Sequence, residues 1–163
     1  MKKQSSNLTT SHVAIFWDWQ NVKATEEQIR CLMMFAYDKG HVVLEQAYAD
    51  WGQENKKLAD LLADLFDCIN VPSSKLKKNR ADFKLIGHCR QRVLRNPDIS
   101  TVILLSGDGD FAGLVDELKD NGKKVIIVAH SDKRTNQKLI KLADEFNFLG
   151  QIEQRFSNLQ IIA

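Results

Sequence analysis

The sequence of 163 residues lacks several features that would mark a specialised class of protein. It contains only two prolines, and its hydrophobic share of 44% excludes a collagen-like or disordered chain. Its three cysteines, Cys31, Cys68 and Cys89, are far apart and form no CxxC pair. This spacing argues against a zinc site or a disulfide framework, and it favours the reducing environment of the cytoplasm.

Long hydrophobic runs are also missing. The first dozen residues are polar, so no secretory signal is predicted. The longest apolar runs, Val13–Trp17, Val102–Leu105 and Val125–Ala129, are too short to cross a bilayer. We therefore expect no membrane-spanning segment.

The whole chain has little excess of either charge, with a formal net charge of +2, but the charges are unevenly distributed. Between Val71 and Arg95, eight basic residues accompany a single acidic one, Asp82. The rest of the chain has 15 basic and 20 acidic residues. This separation predicts a local surface that attracts a polyanion. The basic residues are Lys75, Lys77, Lys78, Arg80, Lys84, Arg90, Arg92 and Arg95.

Short apolar runs and stretches with helical spacing alternate about five times after residue 12. Runs that are continuously apolar indicate strands of a parallel sheet buried on both faces by helices. The spacing predicts a helix over Ala81–Leu94 whose apolar residues include Phe83, a last helix over Leu139–Phe146, and a short final strand at Phe148-Leu149. We expect a polar tail at 1–12, one domain at 13–150, and an apolar C-terminal extension at 151–163 that the sequence does not place.

Acidic residues stand where the predicted strands end. Asp18 closes the first strand, Asp108 and Asp110 follow the central strand, and Asp82 begins a helix. Because the carboxyl ends of parallel strands meet at one sheet edge, we expect these four side chains to converge. Clustered carboxylates repel one another, and Mg²⁺ or Mn²⁺ would supply the counter-charge and activate water for phosphodiester hydrolysis. Any one of these residues could instead be a helix N-cap.

Other phosphate chemistries lack their motifs. The chain has no GxxxxGK[ST] and no GxGxxG after the first strand, and no nucleophilic triad stands out. A phosphatase that forms an aspartyl-phosphate would have a second Asp two residues after Asp18, where this chain has Gln20.

Several motifs resemble the NYN domains of the LabA-like group, which are relatives of PIN nucleases. They are Asp18-x-x-Asn21-Val22, Ala49-Asp50-Trp51, Lys78-Asn79-x-Ala81-Asp82, Leu105-Ser106-Gly107-Asp108-Gly109-Asp110-Phe111, Asn121-Gly122-Lys123-Lys124-Val125 and Leu142-Ala143-Asp144-Glu145-Phe146. The resemblance extends from about Val13 to Leu149. It implies a three-layer α/β/α sandwich with a mostly parallel, PIN-like sheet and an acidic cleft that binds Mg²⁺ or Mn²⁺ and cleaves RNA.

The resemblance also assigns roles to individual residues. Asp18, Asp82, Asp108 and Asp110 would be the metal ligands and catalytic acids, and Asn21 and Ser106 would support them or contact the scissile phosphate. Many members of the group have a further Asp six positions after the equivalent of Asp82, where this chain has His88. That histidine either weakens one metal site or packs as an ordinary helix residue.

The basic stretch beside Asp82 predicts where a nucleic acid would bind. Lys78, Asn79, Arg80 and Lys84 are candidate contacts to the backbone, and Lys84 is expected to point into the cleft. Trp19 is a candidate for stacking an unpaired base, with packing beneath a loop as the alternative. We therefore expect a metal-dependent ribonuclease acting on single-stranded RNA. A non-catalytic RNA-binding or regulatory module is the alternative, and an interface between copies of the chain at the apolar tail stays open.

Overall fold

The computed structural model describes residues 11–73, 80–131 and 134–158. Strands and helices alternate along these ranges. The strands are β1 (His12–Asp18), β2 (His41–Ala49), β3 (Asp67–Asn70), β4 (Ile99–Leu105), β5 (Lys124–Ala129) and β6 (Glu145–Phe148). The helices are α1 (Glu26–Lys39), α2 (Lys56–Leu65), α3 (Arg80–Cys89), α4 (Ala112–Asp120), α5 (Gln137–Leu142) and α6 (Leu149–Ser157).

The six strands form one sheet in the order β3-β2-β1-β4-β5-β6, and every neighbouring pair is parallel. The continuous apolar runs are explained by this arrangement, because β1 and β4 are covered on both faces. Residues of β1 alternate between two cores. Val13, Ile15 and Trp17 face one, and Ala14 and Phe16 face the other.

The two cores lie on opposite faces of the sheet. The first contains buried residues of α1, α2 and α6, and the second those of α3, α4 and α5. Helix α1 begins with a capping box, in which Thr25 Oγ1 accepts from the Gln28 amide and Gln28 Oε1 accepts from the Thr25 amide. The predicted α/β/α sandwich with a parallel central sheet is confirmed.

The end of the chain differs from the sequence prediction. The helix predicted over Leu139–Phe146 is wrong, because α5 ends at Leu142 and the next residues form β6. Asp144 explains the change: its amide donates to the Val125 carbonyl at 2.9 Å, and its Oδ2 accepts from the Val125 amide at 2.8 Å. These two bonds attach the chain to β5, so sheet pairing overrides the local helical spacing.

Helix α6 begins at Leu149, where a final strand is predicted, and packs along α1. Ile152 and Phe156 are buried in the first core, and the Phe156 ring meets that of Phe35 edge-on at 6.2 Å. Among the helices of the described ranges, none combines the length and apolarity needed to cross a membrane.

Candidate metal centre and nucleic-acid surface

The carboxyl ends of β1 and β4 lie side by side at the centre of the sheet. Trp17 pairs with Leu105, so Asp18 and Ser106 follow next to each other. Ser106 Oγ donates a hydrogen bond to Asp18 Oδ2 at 3.1 Å. The strand order runs in opposite directions on either side of this point, which is where open α/β sheets form their ligand crevice.

Hydrogen bonds hold the loop after β4 in one shape. The Asp108 amide donates to Ser106 Oγ at 3.1 Å, and the Gly107 amide donates to Asn21 Oδ1 at 2.8 Å. The Asp110 amide donates to Asp108 Oδ1 at 3.0 Å, so Asp108 caps the short turn that follows. Capping uses one of the two carboxylate oxygens, and the other remains to interact with neighbouring acids.

The glycines of this loop allow a close approach to the segment before α5. A Cβ atom at Gly107 would lie 2.8 Å from the Arg134 carbonyl oxygen, and one at Gly109 would lie 2.5 Å from Asn136 Nδ2. The Gly107 carbonyl accepts a hydrogen bond from the Asn136 amide at 2.9 Å. The two glycines therefore let the loop that contains Asp108 and leads to Asp110 pack closely against the segment before α5.

Helix α3 adds a further acid to this edge. Asp82 lies in its first turn, three and seven residues before the buried Leu85 and Cys89, and so shares their face of the helix. Carboxylate oxygens of Asp82, Asp108 and Asp110 lie within 4.8 Å of one another. Asp18, only 5% exposed, is close enough to interact with the charges of Asp82 and Asp108.

The electrostatics of the four carboxylates are unfavourable when no cation is bound. Burial is the largest cause that raises the pKa of Asp18 to about 6; the Ser106 hydrogen bond opposes it and the charge of Asp108 adds to it. Burial also leads for Asp82, where the charges of Asp18, Asp108 and Asp110 and a hydrogen bond with Asp108 help raise the pKa to about 7. Both carboxyls therefore hold protons more tightly than usual.

The donor set suits a hard divalent cation. Only carboxylate oxygens converge in the cluster of Asp82, Asp108 and Asp110, and such oxygens are the ligands that Mg²⁺ and Mn²⁺ prefer. A positive ion at this point would offset the mutual repulsion that raises the two pKa values. The residues present thus fit the cation that the sequence predicts.

The sequence leaves two roles open for Asn21 and Ser106, which would either support the acids or contact the scissile phosphate. Ser106 is fully buried, and its hydroxyl orients Asp18 and Asp108, which corresponds to the supporting role. Asn21 is half-buried, and its Oδ1 accepts the Gly107 amide hydrogen bond. Both residues support the acids of the cleft.

Trp19 does not offer a ring face to a base, and that prediction is wrong. It is 1% exposed, its ring lies 5.3 Å from that of Trp17 and 6.1 Å from that of Trp51, and its indole N–H donates to Glu54 Oε2. The Trp19 amide bonds to the Tyr48 carbonyl at the end of β2, which turns the side chain inward. The packing alternative is correct.

The predicted basic contacts are only partly described. Lys78 and Asn79, with the neighbouring Lys75 and Lys77, lie outside the described residues. Arg80 and Lys84 are exposed on α3. Two residues along a helix correspond to a rotation of about 200°. Lys84 therefore lies on the side of α3 opposite Asp82, and the prediction that it points into the cleft is wrong.

His88 packs beside β2 rather than among the acids. Its Nδ1 lies 2.8 Å from Tyr48 Oη, which donates to Gln46 Oε1 at 2.6 Å. Because the tyrosine proton goes to Gln46, Nδ1 is the protonated nitrogen that donates to Tyr48. Burial, with the charges of Arg92 and Lys84, lowers the pKa of His88, which favours a neutral ring. The packed-residue alternative is the one the structure supports.

Sequence reasoning missed two features beside the cluster. A groove of about 390 Å³ between α4 and α5 is lined by Lys138, Lys141 and Asp116, and it opens at the start of α4, two residues after Asp110. Phe83, which the spacing assigns to the apolar face of α3, is 73% exposed. The sequence contains one indication of this exposure, because Phe83 lies about 100° around the helix from Asp82 and so points away from the face that Asp82 shares with the buried residues.

The chain is similar to known proteins both in sequence and in structure. The NYN domain family matches residues 12–150 of the chain. A crystal structure of a protein of unknown function from Vibrio parahaemolyticus superimposes with a TM-score of 0.69 at 25% sequence identity. The match covers 91% of this chain and 96% of that protein. No curated protein matches the sequence.

Proposed function

The chain belongs to the NYN domain family, a PIN-like nuclease family, and on that premise we propose that it is a metal-dependent ribonuclease. It would hydrolyse phosphodiester bonds in single-stranded RNA. The observation that carries the proposal is the convergence of three carboxylates within 4.8 Å beside the buried Asp18. The motifs around Asp18, Asp82 and Asp108 support the LabA-like group within the family.

All four acids are proposed as ligands of Mg²⁺ or Mn²⁺. Asp82, Asp108 and Asp110 are the set whose carboxylate oxygens lie within 4.8 Å of one another, Asp18 lies beside them, and Asp82 would bind the ion or orient the attacking water. A bound divalent cation lowers the pKa of water and offsets charge on the phosphate oxygens. Ser106 and Asn21 keep the acids in place through the hydrogen bonds that fix the loop after β4.

Exposed basic side chains near the acidic edge support a nucleic-acid substrate. Lys138 and Lys141 line the groove between α4 and α5, and Arg80 and Lys84 are exposed on the outer side of α3, away from Asp82. Such residues bind phosphates independently of sequence, which suits a strand that must cross an acidic site. Lys78 and Asn79 directly precede Arg80 in the sequence, and we include them among the proposed contacts to the RNA backbone.

The three free cysteines support a cytoplasmic location as part of this proposal. The non-catalytic alternative depended on His88, but this residue is bonded to Tyr48 and lies outside the carboxylate cluster. Its presence therefore leaves the charge of the cluster intact. The alternative remains as an outcome of the test below.

The test is cleavage of labelled single-stranded RNA by the purified protein in Mn²⁺. We expect D18N and D108N to lose about a hundredfold or more in rate, since each replaces a charged oxygen of the site. D60N is the matched control, because Asp60 is exposed on α2 outside the cluster. Equal cleavage by the wild type and both site variants would contradict the proposal. RNA binding that persists in chelator, without Mn²⁺ affinity or cleavage, would support the non-catalytic alternative.

A further inference from the structure

The first turn of α3 presents an exposed aromatic ring beside the carboxylate cluster. Phe83 follows Asp82 directly and is 73% exposed, while Leu85 of the same helix is buried. Phenylalanine is normally among the most buried residues, because water solvates its ring poorly. In the described part of the chain, the other exposed large hydrophobic side chains are Tyr37 and Val43, and both are less exposed than Phe83.

An ion pair shows which way the ring faces. Arg90 follows α3 and donates to Glu117 of α4 at 2.7 Å, so this flank of α3 faces α4. Phe83 lies seven residues before Arg90, which is about two helical turns and nearly the same direction around the axis. It is therefore on the α4 flank, two turns nearer the carboxyl edge of the sheet.

The relative direction of α3 and α4 indicates which residue lies across the cleft from Phe83. Helices α3 and α4 each lead into the next parallel strand, so they run in the same direction. Asp110 lies seven residues before Glu117, in the turn that leads into α4, and is therefore nearer the same edge of the sheet as Phe83. Helix α3 also packs against the turn Gly109–Phe111 that contains this aspartate. The Phe83 ring thus stands at the rim of the cleft, near the exposed acid of the cluster.

We propose that Phe83 stacks on a base of single-stranded RNA whose phosphate lies at the carboxylate cluster, an inference that rests on the proposed function. A ring at the rim can meet the base of a nucleotide whose backbone lies deeper in the cleft. Aromatic faces stack on any unpaired base, whereas the bases of a duplex are already stacked within it. Phe83 would therefore select unpaired over paired RNA with little preference for sequence.

The experiment is a fluorescence titration with a short single-stranded RNA that contains 2-aminopurine, whose emission falls when the base stacks. It is run in Ca²⁺, and a gel verifies that the oligonucleotide stays intact. We expect F83A to weaken binding about fivefold or more and to abolish the quenching, and F83W to retain both. Y37A is the matched control, because Tyr37 is 60% exposed on α1, on the other face of the sheet.

An oligonucleotide of the same length without bases isolates stacking from the remaining contacts. Wild type and F83A should bind it equally, which would also show that the variant is folded. If F83A binds and quenches the 2-aminopurine RNA as the wild type does, while Mn²⁺-dependent cleavage is intact, the role of Phe83 is refuted and the proposed function stands. If the wild type neither binds nor cleaves RNA, the proposed function fails and this inference fails with it.

Discussion

Replacement of Asp18 by asparagine should stabilise the cation-free protein at neutral and alkaline pH. Burial, partly opposed by the Ser106 hydrogen bond, raises the pKa of Asp18 from 3.8 to about 6. Asparagine has nearly the same shape, and its Oδ1 can still accept from Ser106 Oγ. It removes the buried charge while it preserves the contact.

The sign follows from proton binding. A carboxyl with a raised folded-state pKa binds more protons folded than unfolded, so stability falls as the pH rises from 3.8 through about 6. Above that window the whole cost is present. A shift of about two pKa units corresponds to about 2–3 kcal/mol, or roughly 4–12 °C in Tm for a chain of this size. Asp82 adds a cost of the same sign at somewhat higher pH, reduced by its partial exposure.

The assay is unfolding of wild type, D18N and the exposed control D60N in EDTA at pH 5 and pH 8. D18N should have a higher Tm than the wild type at pH 8 and a smaller advantage at pH 5, and D60N should match the wild type at both. Mn²⁺ should then raise the Tm of the wild type more than that of D18N, because binding to the folded state alone stabilises it. A D18N protein no more stable than the wild type at pH 8 would refute the electrostatic account of the site.

Two further predictions concern the framework around the site. G107A should destabilise the fold by about 1–3 kcal/mol and slow RNA cleavage, because its Cβ would lie 2.8 Å from the Arg134 carbonyl oxygen. G113A is the control, because a Cβ at Gly113 meets nothing within 4 Å, and it should retain the stability and the cleavage rate of the wild type. Denaturant titrations measure the stability, and rate assays measure the cleavage. F156A should lower the free energy of unfolding by about 3–5 kcal/mol, because this ring of α6 is 5% exposed and packs against α1 in the first core. Urea unfolding measures the loss, and a change below about 1 kcal/mol would show that the Phe156 ring does not anchor α6 to the core.

Much of the fold follows from the sequence because its strongest signals are local. Buried strands such as β4 and β5 are continuously apolar, and α1 has both a cap and helical spacing. β6 could not be predicted in this way. Leu139, Leu142 and Phe146 have the spacing of a helix, and only the pairing of Asp144 with Val125 selects a strand.

The proximity of Asp18 to Asp108 and Asp110 could be predicted because parallel topology brings the ends of β1 and β4 together. The aromatic residues could not, since exposure depends on tertiary packing. Trp19 lies beside an acid in sequence but is covered by Trp17 and Trp51, while Phe83 is exposed. Side-chain periodicity within α3 distinguishes Phe83 from the buried Leu85 only once the inward face of the helix is known.

Ser106 helps the buried Asp18 to keep its negative charge. Its Oγ accepts from the Asp108 amide, so the single hydroxyl proton is directed at Asp18 Oδ2. That bond lowers the pKa of Asp18 against the effect of burial, which keeps the value near 6. Asp18 is therefore mostly ionised at neutral pH before any cation arrives. An alanine at this position would leave burial unopposed and raise the pKa further, so a proton would compete with the cation for the same carboxylate.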